Sequence, residues 1–453
     1  MIIVKFGGTS MADAAAITRA GEIVRSRLDR QPIVVVSAFA GVTNQLLQIG
    51  IQAVEGQLVP AMAAVHALRD RHLAEVRALL GDGPEGHELS GDLSAMIDEV
   101  AALAEALSVL GHGTPRAMDK IAALGEQLSS LVAAAAFRRM GIAARHVDAA
   151  LVMRTDDHFG KAAPQPEAIS DAARRLLVPA VRAGEVPVLG GFIGATTHGI
   201  TTTLGRGGSD YSASLIGAAL RTDAIEIWTD VDGMLTADPR IVADARLIKD
   251  IRFDEASELA SFGAKVLHPS TIAPAVTLGI PVWVLNSRHS LGTGTRITFD
   301  APRRPVTAIA GKRNVTVLKV RSARMLLQHG VLRRIFEVFE HHRTSVDVVA
   351  TSEVSVSVTI DDASRLEALL GDLQPLGDVS IERNRGILAV VGAGMSDDSR
   401  AMAKALAALE GARVHMVSLS SSGINLTLIV DDDHVDDGMR RLHAAFFGRQ
   451  VAA

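Results

Sequence analysis

The chain has 453 residues, 48% hydrophobic and 21% charged, with a formal net charge of −5 and 3% aromatic residues. That length exceeds what one core supports, so two or three domains are expected, and the negative balance with few aromatics excludes a nucleic-acid-binding surface. No apolar run reaches the roughly 18 residues of a membrane span, no basic-then-apolar leader opens the chain, and the absence of cysteine removes disulfides and thiol chemistry and fits a cytoplasmic protein.

Short apolar or β-branched runs alternate with helical patterns through the first 300 or so residues. Ile2–Lys5, Pro32–Ser37, Ala144–Val147, Pro187–Leu189, Ala224–Trp228 and Pro281–Leu285 read as buried strands of a mostly parallel sheet. Ala12–Leu28, Pro166–Ala183 and Ser209–Leu220 read as helices between them, which predicts a three-layer α/β/α domain. Residues 50–135 are helical in pattern almost throughout, an insertion expected to form a helical lobe. Later the units shorten. Val315–Val320, a helix through Gly330–His341, Ser345–Ala350, Val354–Ile360, a helix from Asp362 and Val379–Glu382 make one βαββαβ unit. Ile387–Val391, a helix from Ser396, Arg413–Leu419, Ile424–Val430 and a helix from Asp433 repeat it, as expected of duplicated ferredoxin-like modules. The carboxylates at Asp361-Asp362 and Asp431-Asp432-Asp433 read as helix N-caps rather than a metal cluster.

The densest chemistry lies in Thr201–Tyr211, T-T-T-L-G-R-G-G-S-D-Y. Its glycines permit close backbone approach, its hydroxyls and amides face a helix start, and Arg206 offers a planar fork, a combination suited to an anion. Lys5-Phe6-Gly7-Gly8-Thr9-Ser10 sets a lysine before a glycine pair, so backbone amides can cradle phosphate oxygens beside fixed positive charge. It is not a Walker A loop, where lysine follows the glycines. Ser37-Ala38-Phe39-Ala40-Gly41-Val42-Thr43-Asn44 ends the second strand similarly, and both loops point to a crevice at the carboxyl edge of the sheet. The loops from Thr229 to Arg240 and from Ser261 to Pro269 add Asp230 and Lys265. His341-His342 near a helix end reads as a solvated pair, and no metal-ligating side chains are assigned.

In order, K-F-G-G-T-S, Leu124-Gly125-Glu126, M-R-T-D-D-H-F-G from Met153 to Gly160, T-T-L-G-R-G-G-S-D, W-T-D-V-D-G and F-G-A-K-V-L-H-P make the chain resemble the aspartate kinases of the amino-acid kinase family over essentially its full length. The resemblance implies a catalytic domain over residues 1–298 and a regulatory region over 299–453 with tandem ACT domains. The first would cover about 313–385, and the second about 386–453 with one module's first strand drawn from Val306–Ala310. It implies ATP-dependent phosphorylation of the L-aspartate β-carboxylate, with Mg²⁺ on the phosphates, at the head of the route to lysine, threonine and methionine. Lys5 and Asp210 match catalytic positions; Ser37, Thr43, Glu126, Arg206, Gly207, Gly208 and Ser209 match aspartate-binding ones. Lys5, Gly7, Gly8, Thr9, Thr229, Asp230, Leu235, Arg240 and Lys265 match nucleotide-binding positions, with Leu235 where many relatives carry tyrosine. T-S-E-V-S-V-S-V at Thr351–Val358 is close to the monofunctional lysine-sensitive type. Met325, Leu326, Leu327, Gln328, Val331, Leu332, Ser345, Val346, Asp347, Ser352 and Glu353 match its effector positions, with Gln328 in place of a serine. His415 stands where the first module has Asp347, so no effector is expected in the second. Lysine is the expected effector and threonine the alternative, acting on a homodimer or homotetramer joined through the ACT domains. An inactive amino-acid sensor on the same fold is the competing function, and the intact Lys5, Arg206 and Asp210 oppose it.

Overall fold

Two runs of five residues, Ile-Ile-Val-Lys-Phe and Pro-Ile-Val-Val-Val, form strands β1 (Ile2–Phe6) and β2 (Pro32–Val36), buried at every position. Such runs lie in a parallel sheet covered on both faces. The computed structural model describes all residues except 264–268, 327, 396, 398 and 449–453. Contacts divide the chain into two units, Met1–Met234 with Val266–Asp300 and Leu235–Lys265 with Ala301–Ala453.

In the first unit β3 (Ala144–His146), β4 (Val186–Gly190), β5 (Ile193–Ala195), β6 (Thr201–Thr203) and β7 (Ala224–Thr229) follow. The parallel order is β3-β4-β2-β1-β7, continued by parallel Val282–Asn286 and antiparallel Thr295–Thr298. Parallel strands put all their carboxyl ends on one edge, and the loops of interest leave from there. The six expected strands are present to within a residue or so at their ends; the β5–β6 hairpin and Thr295–Thr298 were not foreseen, being too short for periodicity to reveal.

The helical insertion comprises Leu58–Leu80 and Pro84–Leu110, framed by Val42–Val54 and Pro115–Arg139. The last of these starts where Thr114 accepts the Ala117 N–H and Pro115 occupies the first turn. One apolar core runs from Ile2, Val34 and Val36 of the sheet through Leu46 and Leu128 to Leu93 and Ile97 of the insertion. Among the described residues no helix is long and apolar enough to cross a membrane.

The second unit holds a six-stranded sheet ordered Val349–Thr351, Ser355–Ile360, Ala308–Arg321, Asp378–Val391, Asn425–Asp431, Val414–Leu419. Its two central strands, 14 residues each, run the length of both modules and break register where Asn314 and Asn384 take left-handed φ of 59° and 55°. Val315–Arg321 serves the first module; Ala308–Lys312 pairs with Ile387–Val391 of the second. It takes the sheet position that Asp378–Arg385 fills in the first module. The segment expected as a module's first strand is therefore its outer, closing strand. Leu235–Lys265 packs with this unit too, through Ile309 N–H to the Thr236 carbonyl and through Glu255, buried and bonded to Thr307 and the Ala393 N–H.

The reading of the acidic clusters as helix caps needs correction. Asp361 pairs with Lys312, Asp431 with Arg385 at 2.7 Å, and Asp432 with Arg313 and the Asn314 N–H. Only Asp362 caps its own turn, at the Ser364 N–H. The bends at Asn314 and Asn384 fall among Lys312, Arg313 and Arg385, whose side chains meet the aspartates at the strand ends, and ion pairing there replaces capping. His342 likewise bonds Asp372 at 2.8 Å instead of standing solvated.

Candidate active site

Lys5 lies one residue before the end of β1 and is 5% exposed. Its Nζ meets Asp210 Oδ1 at 2.5 Å. Asp210 sits in the first turn of helix Gly208–Leu220, where the helix dipole favours a carboxylate. Gly207, at φ 73°, is the N-cap of that helix, a left-handed conformation that a side chain would strain. The next loop packs against it so tightly that a Cβ on Gly191 would lie 2.6 Å from the Ser209 Cβ, and one on Gly208 2.7 Å from Phe192. Ser37, following β2, donates to the Ser209 hydroxyl at 2.8 Å.

Helix Pro115–Arg139 closes the site. A Cβ on Gly125 would meet the Ala38 Cβ at 2.9 Å, so only glycine lets the helix come this close to the β2 loop. Glu126 is thereby 4% exposed, with Oε2 lacking any hydrogen-bond partner. Burial pushes its carboxyl up to about 8, against the opposing influence of backbone hydrogen bonds at Ala38 and of the Lys5 charge. Thr43, Glu126, Arg206, Gly207, Gly208 and Ser209 line one cleft of about 750 Å³ with Asn44, Met118, Asp119, Gly160, Phe192 and Thr203. Arg206 is exposed in it and has no carboxylate partner among the described residues. The cleft thus presents a free guanidinium, a buried carboxyl and a helix N-terminus.

Asp119 escaped the sequence reading. It is buried and accepts the Gly160 N–H at 2.9 Å, the Thr203 N–H at 3.0 Å and the Thr203 hydroxyl at 2.8 Å, tying three segments of the cleft together. Its signal was its place seven residues, or two helical turns, before Glu126 on the same face. Asp156 caps its own loop through the His158 and Ala163 amides, leaving Gly160 to line the cleft.

On the same edge, the Gly7 N–H donates to the Trp228 carbonyl at 3.0 Å, and a 3₁₀ turn over Gly8–Met11 follows. Thr9 lies within that turn, and Thr229 ends β7 and donates to Asp230 at 3.2 Å. Leu235 and Arg240 belong to the second unit, where Arg240 grips Asp238 bidentately; Lys265 lies outside the described residues. Among the described residues the one group of three or more possible metal ligands is His341, His342 and Asp372 in the second unit. Among the described residues the cleft gathers no group of three metal-ligating side chains, so a divalent metal there would take most of its oxygen ligands from the bound substrates and water.

In the first module of the second unit, Met325, Leu326, Gln328, Val331, Leu332, Ser352 and Glu353 line a pocket of about 500 Å³ with His329, Gly330 and Thr351. Ser345, Val346 and Asp347 are not in its lining, and Leu327 lies outside the described residues. Asp347 bonds Lys312 at 3.2 Å; burial and then its hydrogen bond with Asp361 push its carboxyl up to about 6.

A buried lysine–aspartate pair at the carboxyl edge of a parallel sheet, beside a glycine-rich helix start, describes an amino-acid kinase. A model of the amino acid kinase family matches residues 1–286, and an ACT-domain model matches residues 388–446. The chain is 34% identical to the lysine-sensitive aspartokinase 3 of Escherichia coli over 456 residues, covering 99% of each. It is 35% identical to the chloroplastic aspartokinase 3 of Arabidopsis thaliana, over 98% of this chain and 81% of that one. Its structure matches E. coli aspartokinase III in complex with aspartate and ADP at a TM-score of 0.85, with 34% identity and 99% and 100% of the two chains covered. The complex of that enzyme with lysine and aspartate matches at 0.82 with 35% identity, covering 99% of each. The chain belongs to the aspartokinases.

The buried Glu126 carboxyl carries a pH signature. Between the ordinary value of 4.5 and about 8 the unfolded chain ionises this group while the ligand-free fold keeps it protonated. Stability attributable to Glu126 is therefore full at low pH and declines as pH rises across that window. The thermal midpoint of ligand-free wild type should fall relative to Glu126→Gln from pH 5 to pH 8. Aspartate binding at pH 7, followed by calorimetry in buffers of different ionisation enthalpy, should release about one proton in wild type and none in the variant.

Proposed function

We propose that this aspartate kinase transfers the γ-phosphoryl of ATP to the β-carboxylate of L-aspartate in the cleft of the first unit. The carrying observation is the convergence there of the Lys5–Asp210 pair, unpaired Arg206 and partnerless Glu126. Arg206 takes the substrate α-carboxylate by a two-pronged contact, and Glu126, losing its proton, takes the α-ammonium. Thr43, Ser37, Ser209 and the amides of Gly207 and Gly208 complete that subsite.

A substrate β-carboxylate oxygen forms a bond to the γ-phosphorus as the bond to the β,γ-bridging oxygen breaks, and that electron pair leaves with ADP. The acceptor is already an anion at neutral pH, so no general base is required, in keeping with a cleft lining that contains no histidine. The difficulty is repulsion between two anions, and Lys5, oriented by Asp210, offsets it where charge develops. The turn from Gly7 to Thr9 with Thr229 and Asp230 receives the phosphates, and Leu235, Arg240 and Lys265 are assigned to the nucleotide on family resemblance. Mg²⁺, when bound through those phosphates, supplies further neutralisation. The same reading places the catalytic domain over about residues 1–298 and the enzyme in the cytoplasm.

Regulation belongs to the first ACT module. Its pocket is lined by an acid, Glu353, and by apolar Met325, Val331 and Leu332, which suits lysine better than threonine. The lysine-sensitive relative supports that choice. Edge strands Val349–Thr351 and Val414–Leu419 leave backbone groups for a second chain, consistent with a homodimer or homotetramer joined through these modules.

A hydroxamate assay with ATP and a panel of amino acids tests the reaction directly; turnover with another acceptor and none with aspartate would overturn it. Lys5→Met, which leaves Asp210 unpaired, should be less stable than wild type and, as folded protein, lose kcat by about three orders of magnitude or more, with ATP affinity changed far less. Arg206→Ala should raise KM for aspartate about ten-fold or more and leave KM for ATP nearly unchanged; equal damage to both would place Arg206 on the nucleotide. Glu353→Ala should weaken lysine inhibition by about ten-fold while the uninhibited kcat and both KM values stay at wild type. Inhibition of the wild type by threonine alone would reassign the pocket.

A further inference from the structure

The helical insertion contributes few of the residues assigned to substrates, yet three of its side chains reach the loops that hold them. Arg71, His72 and Glu75 lie on helix Leu58–Leu80. Arg71 donates from Nη1 to the Ala40 carbonyl at 2.9 Å and from Nη2 to the Ala12 carbonyl at 3.1 Å. Ala40 belongs to the loop after β2, three residues before Thr43. Ala12 closes the 3₁₀ turn Gly8–Met11 after β1. One planar fork therefore spans the two loops. Glu75 accepts the Ala14 N–H at 2.6 Å, at the start of helix Ala14–Arg25, which Asp13 caps. His72 is buried and stacks on Phe39 of the β2 loop, with centroids 4.8 Å apart and planes 7° from parallel. Its Nδ1–H donates to the Leu68 carbonyl at 2.7 Å. Burial lowers its pKa to about 4, so the ring stays neutral beside Arg71.

Anchoring the insertion does not require this arrangement, because Leu93, Ile97, Leu46 and Leu128 already join it to the sheet through a common apolar core. What the fork adds is a direct side-chain bridge that fixes the separation of the two loops. Rigid guanidinium geometry sets that separation more closely than a lysine could. Phosphoryl transfer is sensitive to it, since a misplacement of about 1 Å between donor and acceptor costs on the order of 100-fold in rate. We infer that Arg71 is a positioning residue: through Ala12 and Ala40 it aligns the phosphate-holding turn with the aspartate-holding loop, which gives the helical insertion a part in catalysis. The inference rests on the proposed assignment of those loops.

The test compares Arg71→Ala and Arg71→Lys with Leu93→Ala, which removes buried apolar volume from the same core but no hydrogen bond to either loop. Steady-state kinetics for both substrates and thermal midpoints are measured on the full chain. A positioning role predicts a kcat loss of about ten-fold or more in Arg71→Ala. Both KM values should stay within about three-fold, because each loop still binds its own substrate. Arg71→Lys should recover only part of the loss, and Leu93→Ala, though less stable, should keep wild-type kcat. Wild-type kcat in Arg71→Ala, a kcat loss in Leu93→Ala as large as that in the Arg71 variants, or an effect confined to one KM would each overturn the inference. If Arg71→Ala does not fold, the comparison of Arg71→Lys with Leu93→Ala decides by the same criteria. Wild-type enzyme inactive on aspartate would instead overturn the proposed function, so the two failures are distinguishable.

Discussion

An ammonium group at the end of a fully buried strand must have a partner, and in this chain that requirement organises the catalytic unit. Lys5 cannot snorkel to solvent from β1, whose five positions are all buried. Its charge is satisfied by Asp210, brought over by helix Gly208–Leu220. Removing either partner would leave an uncompensated charge in the interior, a far larger penalty than the pair's net contribution to stability. The pair thus fixes the β1 loop against the glycine-rich turn before any ligand arrives. Preorganised positive charge of this kind is what transfer between two anions needs.

Close backbone approach does the rest. Gly125, Gly190, Gly191 and Gly208 sit where a Cβ would fall within 3.0 Å of a neighbour, and together they draw the helix of Glu126, the β4 end and the Arg206 turn around one cleft. The result is an asymmetric pair of ionisable groups in the cleft, proposed above as the substrate's handles. Arg206 is exposed, whereas Glu126 is buried with its carboxyl pushed up to about 8. On the proposed assignment an incoming ammonium would supply the missing counter-charge to Glu126, coupling full ionisation of the site to occupancy.

Strand runs such as Ile2–Phe6 and the duplicated βαββαβ order were legible in the sequence because burial on both faces, and repetition, leave strong local patterns. The glycine-rich turn was legible for the same local reason. What was hidden depended on distant pairing. Asp119 is an ordinary acidic residue in a helix until Gly160 and Thr203 fold onto it. Arg71 is an ordinary arginine on an amphipathic helix until Ala12 and Ala40 come within reach. The acidic clusters misled because a local rule, N-capping, competed with long-range charges from the central strands, and the charges prevailed.

Those central strands also give the two modules different electrostatic fates from one plan. In each, a residue in or just before an edge strand meets an aspartate at a strand end and a charged residue of a central strand: Asp347 with Asp361 and Lys312, His415 with Asp431 and Glu382. The His415 side chain is 2% exposed and lies between two carboxylates that Arg385 and Lys319 also engage. That cluster is closed, with no acid left over for an incoming ammonium. In the first module two acids share the single ammonium of Lys312, and burial, followed by the hydrogen bond with Asp361, raises the pKa of Asp347. A cation arriving there would relieve repulsion already built into the fold. The same duplication therefore leaves one module's cluster electrostatically complete and the other with two acids on one ammonium, a difference that lies beside the first module's pocket lining and not within it.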